Sequence, residues 1–208
     1  MLGLPKSTEM SRQLSKKAVY AKFQMNTAAK EKIDADIARM TIVNELTPGN
    51  VNIPAGDKVS GIFVLLVVLK KKDFEENTIA ALSKLIPQNI IFVLAYQNKS
   101  RLAVYQSKLM QTDWKKTEEQ CVEITGLSLD KVWENIVTAV GNINIKQGNS
   151  LEEQIALDEK RQRIEKEIDK LEKQARAEKQ PKKKYDIVQR LRVYREQYIL
   201  LNGEENEL

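Results

Sequence analysis

The chain has 208 residues, 34 Lys or Arg against 29 Asp or Glu, and no histidine. That length allows one or two domains with room for a real core. Without histidine, Ser-His-Asp and Cys-His catalysis and Cys/His zinc sites are excluded, because the one cysteine, Cys121, cannot hold a tetrahedral metal alone.

Magnesium held by carboxylates stays compatible with the composition, but no motif asks for it and no cofactor is implied. An apolar fraction of 42% beside 30% charged residues describes a soluble folded protein with a highly charged helical part. The longest apolar run covers the eight residues 62–69, well short of the roughly 20 that cross a bilayer. MLGLPKSTEMSRQ has no apolar leader, and one cysteine suits a reducing compartment, so a cytoplasmic location without membrane contact is expected.

In chain order, residues 1–20 with Gly3 and Pro5 read as an extended arm, and 18–23 as a short strand. Gly3-Leu4-Pro5-Lys6-Ser7-Thr8 has one glycine and no strand before it, so it is not a phosphate loop. Thr27 reads as the cap of a helix carrying Ile33, Ile37 and Met40, and 41–51 as a strand ending in the turn Pro48-Gly49-Asn50. The apolar run 62–69 predicts a strand buried on both faces. Asp73-Phe74-Glu75-Glu76 reads as a capping box for a helix that Pro87 stops.

A second buried strand follows at 90–96, a polar turn at 97–100 and a return strand at 102–109. Thr112-Asp113-Trp114 reads as a cap or Asx turn whose tryptophan anchors the domain surface, and 121–125 as one more strand. Ser128 caps a helix with Leu129, Val132, Trp133, Ile136, Val137 and Val140 on one face, ended by Gly141.

Residues 142–149 form a polar linker, and Ser150-Leu151-Glu152-Glu153 is a capping box that opens a long helix. Leu157, Ile164 and Leu171 fall seven apart, with Ile168 and Ala175 four residues after the last two, and Arg161 interrupting the seam. Beyond Pro181, Ile187, Leu191, Tyr194, Tyr198 and Leu201 step by 4, 3, 4 and 3. Such a stripe must be covered, so the two helices form a hairpin, a kinked rod or a partner-docking arm.

The strongest charge feature lies on these helices. Residues 170–195 hold ten Lys or Arg against three Asp or Glu, between acidic stretches on both sides. Arg176, Lys179, Lys182, Lys183, Lys184, Arg190, Arg192 and Arg195 are the residues expected to contact nucleic acid or an acidic partner, with Tyr185, Tyr194 and Tyr198 available for stacking. The competing reading is a solvated face of a coiled coil in which the tyrosines are buried. A nuclease reading also arises, because strand 62–69 runs into Lys70-Lys71-Lys72; but Val68 stands where an acid is needed, and no carboxylate lies within 62–72.

GLPKSTEM, LVVLKKKDF, LIPQNIIFVLAY, QTDW and RAEKQPKKKYDIVQRLR occur in that order from about residue 2 to 195. With them the chain resembles a bacterial family catalogued as domain of unknown function 4391. The resemblance implies a small cytoplasmic protein encoded beside helicases and DNA methyltransferases of restriction-type defence systems, and it carries over no catalytic residue.

The expected fold is therefore α+β, a mixed or antiparallel sheet with flanking helices over 1–145. A C-terminal helical hairpin or coiled-coil-like arm at 150–202 and an acidic tail at 203–208 follow. The expected role is that of a non-enzymatic accessory protein, meeting DNA or a DNA-bound helicase or methyltransferase through a basic helical face. The alternative is a helical oligomerisation or docking module, including a homodimer through the arm, with no nucleic-acid contact.

Overall fold

The computed structural model describes residues 2–146 and 148–203 and divides the chain into two compact units, Met1–Ile143 and Asn144–Leu208. The first is an α+β unit built on a mixed sheet. Its strands are β1 (Glu9–Gln13), β2 (Ile37–Leu46), β3 (Ile62–Leu69), β4 (Asn89–Tyr96), β5 (Lys99–Gln106), β6 (Lys108–Gln111) and β7 (Lys115–Lys116). They lie in the order β1-β2-β3-β4-β5-β6, with β7 also paired to β5. Among the described residues only β3 and β4 run parallel, and the crossover between them is α4 (Glu76–Leu85). The remaining helices of this unit are α1 (Lys16–Lys22), α2 (Thr27–Asp36), α3 (Pro48–Val51) and α5 (Leu129–Gly141).

The apolar runs that lack alternation are the central strands. Leu65, Val67 and Leu69 of β3 and Ile90, Phe92 and Leu94 of β4 share a core with Val19, Ile33, Ile79 and Leu82 from α1, α2 and α4. Residues of the opposite parity, Val64, Ile91 and Val93, are fully buried too. Such strands are covered on both faces, which is why they read as continuous runs. Against β5 and β6 lies α5, burying Leu129, Val132, Trp133, Ile136, Val137 and Val140.

The extended arm of 1–20 packs on its own domain, since Glu9–Gln13 is an edge strand antiparallel to β2. Several expectations are corrected. Residues 18–23 lie in and beside helix α1 instead of a strand, with Val19 buried in the core, a case of packing overriding β propensity. Helix α2 is capped by Asn26, whose side chain accepts from the Ala29 amide, and it ends at Asp36. Ile37 and Met40 imitate helical spacing but belong to β2. A register shift between Ile37 and Arg39 lets residues three apart both be buried.

Asp73 forms no capping box. Glu75 is the N-cap of α4, and its amide donates to the Asp36 carboxylate at 2.9 Å. The hairpin turn is only Gln97-Asn98, since Tyr96 pairs with Lys99. The return strand ends at Gln106, where Ser107 at φ 62° turns the chain into β6. Residues 121–125 form no strand, and the Val122 amide donates to the Leu2 carbonyl at 3.0 Å. Thr112 rather than Asp113 organises the QTDW turn, accepting from the Leu102 amide, while Trp114 lies 5.4 Å beneath the Arg101 guanidinium. Asn142, at φ 48°, takes the left-handed position ending α5 that Gly141 was expected to fill.

One glycine is required sterically. The Asp130 carboxylate in the first turn of α5 accepts from the amides of Asp57 (2.9 Å), Lys58 (3.2 Å) and Val59 (2.7 Å). A Cβ on Gly56 would lie 2.1 Å from Asp130 Cγ. Gly56→Ala is therefore expected to destabilise the protein by about 2 kcal/mol, because it expels the carboxylate from three amides. In an Asp130→Ala background the same change should cost little, a non-additivity that urea melts of the four variants measure.

In the second unit, α6 (Leu151–Ala177) and α7 (Pro181–Gly203) form an antiparallel hairpin instead of a kinked rod. Arg195 donates to Glu172 at 2.7 Å, and Arg161 donates to the Leu201 carbonyl at 3.3 Å. The Ser150 box is formed in both directions, and those hydrogen bonds hold the Glu153 carboxyl below its usual range. The expected linker includes Gln147, which lies outside the described residues, as does the acidic tail beyond Gly203. Among the described residues no helix is long and apolar enough to cross a membrane.

Candidate nucleic-acid interface

The apolar stripe of each helix is turned toward the other. Ile164 and Leu171 are buried in α6, with Ile168 half-buried. In α7 Leu191 is buried, and Ile187, Tyr194 and Tyr198 are half-buried while their neighbours are exposed. The seams thus satisfy each other within one chain. Arg161, the polar break in the α6 seam, reaches Asp158 and a carbonyl of the last turn of α7, where a cation is electrostatically favoured.

This packing sorts the eight basic positions into two groups. Arg192 pairs with Glu196 at 3.1 Å, and Arg195 and Arg176 share Glu172 at 2.7 and 3.4 Å. Among the described residues, Lys179, Lys182, Lys183, Lys184 and Arg190 make no ion pair. All five are exposed.

The basic residues do not form one helical face. At about 100° per residue, Lys182, Lys183 and Lys184 spread around most of a turn, and Arg190 and Arg192 point to opposite sides. Instead the hairpin bend gathers them: Arg176 comes from the last turn of α6, Lys179 from the connection after it, and the three lysines from the first turn of α7. The result is a cationic collar at the tip of the hairpin. Beside it, Tyr185 is 64% exposed, so it is the tyrosine with a free ring, whereas Tyr194 and Tyr198 are committed to the seam.

The lysine triplet opposes the local field. Pro181 starts α7, the first turn holds no acid, and the unpaired amides of a helix start already carry partial positive charge. Three cations there weaken the helix rather than supporting it.

The end of β3 is the other charged cluster, and sequence spacing hid it. Asp34 and Asp36, from the end of α2, meet the lysines after β3. Asp36 is 3% exposed, pairs with Lys71 at 2.8 Å and accepts the Glu75 amide. Asp34 accepts from Lys16 at 2.6 Å and from the Tyr20 hydroxyl at 2.9 Å, and Lys70 donates to its carbonyl. The carboxylates that the nuclease reading lacked on the strand thus come from a helix, but each is already neutralised by a lysine. Among the described residues, no three acids or cysteines converge on a metal position.

Burial works to raise the Asp36 carboxyl, but Lys71 and the Glu75 amide outweigh it and hold the group below its ordinary value of 3.8. A lowered folded value means the stabilisation is complete at neutral pH and is lost as pH falls through that folded value. Asp36→Asn is therefore expected to cost on the order of 1–2 kcal/mol at pH 7, with the difference from wild type shrinking below about pH 4 in urea melts.

A cavity of about 480 Å³ lies in the first unit between α1 and the sheet. Phe23, Ile42, Phe63 and Ile86 help to line it, with Arg12 and Lys22 as its charged members. No carboxylate, thiol or hydroxyl side chain lines it. The sequence held no signal for it, because its walls come from five separate segments.

The chain thus combines an α+β unit with a helical hairpin whose bend is cationic. Residues 2–197 match the family described as Domain of unknown function (DUF4391), and the chain belongs to that family. No curated protein and no solved structure matches it.

Proposed function

We propose that this protein is a non-catalytic, cytoplasmic accessory factor in bacterial DNA processing, presenting the hairpin tip to nucleic-acid phosphates beside a helicase or methyltransferase. The observation that carries this reading is the set of unpaired cations at the tip, Lys179 and Lys182–Lys184, placed where the start of α7 disfavours them. Charge kept against the local field suits an anionic partner, and phosphates release counterions when such lysines bind them. The helicase or methyltransferase association rests on the gene neighbourhood that the family resemblance implies.

The test is recovery of the tagged full chain from its native cells with and without nuclease treatment. The reading expects co-purifying DNA and loss of most partner protein after nuclease. Partners retained unchanged after nuclease, with no DNA recovered, would favour the docking-module alternative.

A further inference from the structure

The most unusual surface lies on α7, on the side away from its hairpin partner. Six large apolar side chains are prominently exposed among the described residues, and five of them are Tyr185, Val188, Val193, Ile199 and Leu200. At about 100° per residue they span an arc of about 140°, centred opposite the stripe of Ile187, Leu191, Tyr194 and Tyr198. One helix therefore carries two apolar faces, and the hairpin uses one. A second face of this size on a charged helix marks an interaction surface.

The spacing identifies the occupant. Tyr185 stands eight residues before Val193 and Leu200 seven after it; Val188 stands five before and Ile199 six after. Reversing the helix about Val193 maps the exposed set onto itself within one residue. That is the requirement of a twofold interface, in which residue i meets residue j and j meets i. A foreign helix would impose no such symmetry.

Charge points the same way. Within α7, residues 181–192 hold five cations to one anion, whereas 194–203 hold one of each. Two α7 helices side by side in parallel would set one basic half against the other, and antiparallel they set the basic half of each along the neutral half of the other. Within the face itself, Arg192 and Glu196 already bond at 3.1 Å, and the antiparallel copy presents the same pair in reverse order.

We propose that the protein self-associates as a twofold dimer through the outer face of α7, antiparallel, with Val193 against Val193 of the second copy. Tyr185 of each chain then meets Leu200 of the other, and Val188 meets Ile199. The interface uses neither the Leu171–Leu191 seam nor the lysines of the tip, and it leaves two cationic tips at opposite ends of the paired helices.

Light scattering on the full chain is expected to give twice the 23.8 kDa chain mass at micromolar concentration. Val193→Glu should raise the dissociation constant by about a hundredfold or more, since it sets two carboxylates against each other on the axis. Val193 is 52% exposed in the hairpin, so folding is spared and circular dichroism should stay unchanged. In a Cys121→Ser background, Val193→Cys should cross-link to itself under mild oxidation, and Tyr185→Cys should not. A monomer at every concentration overturns the proposal. So does a dimer that survives Val193→Glu, or Tyr185→Cys linking to itself as readily as Val193→Cys.

Discussion

Replacing Lys182, Lys183 and Lys184 together by Glu is expected to abolish retention on duplex DNA at physiological salt and to raise, not lower, the stability of α7. Both effects follow from the same position in the first turn of that helix. Removing three phosphate contacts lowers the slope of log affinity against log salt by about 2.7, which is about a 40-fold change in salt response between 50 and 200 mM. Glu also adds repulsion, so the loss of affinity exceeds that of neutralisation. Meanwhile acids at a helix start are favourable by about 0.3–1 kcal/mol each, where the lysines were unfavourable. Loss of binding in a variant that melts higher cannot be blamed on unfolding. Unchanged binding across a salt titration, measured by fluorescence anisotropy, would sink the idea.

The second large effect concerns the hairpin. Leu191 is 8% exposed, the buried position of α7, and Leu171 is 1% exposed in α6. Leu191→Asp removes a buried side chain and places a carboxylate in the seam, a cost on the order of 4 kcal/mol. Helix α7 has no other partner within the chain's second unit, and a 23-residue helix without its packed face is marginal in water. Far-UV circular dichroism should therefore show loss of helix, while the α+β unit keeps its own melting transition. Full helicity in the variant would mean that the seam does not hold the hairpin.

Much of this fold was legible in the sequence because one signal and one physical cause coincided. The run 62–69 had to be buried on both faces, Ser128 and Ser150 had free amides to cap, and the 4-3-4-3 spacing after Pro181 demanded a covering helix. The errors fall where tertiary contacts replace local chemistry. The amide of Glu75 is satisfied by Asp36 from another element, so the Asp73 box was redundant. The shift between Ile37 and Arg39 gave a strand the spacing of a helix.

At the candidate site, the basic residues themselves were visible as charge, but their arrangement was not. A run of lysines gives no hint that a bend collects it into a collar, or that Glu172 and Glu196 withdraw three arginines from it. The outer apolar face of α7 was hidden for a different reason. Val188, Val193, Ile199 and Leu200 blur the spacing of the inner seam, because the helix carries apolar residues on two faces.

The central claim is that the hairpin tip binds phosphate, and a salt titration of the unmodified protein on a short duplex tests it most directly. With up to four unpaired cations of the tip engaged, a slope of log affinity against log salt steeper than about −2 and no steeper than about −3.6 is predicted. A slope near zero, or no binding at low salt, would contradict it.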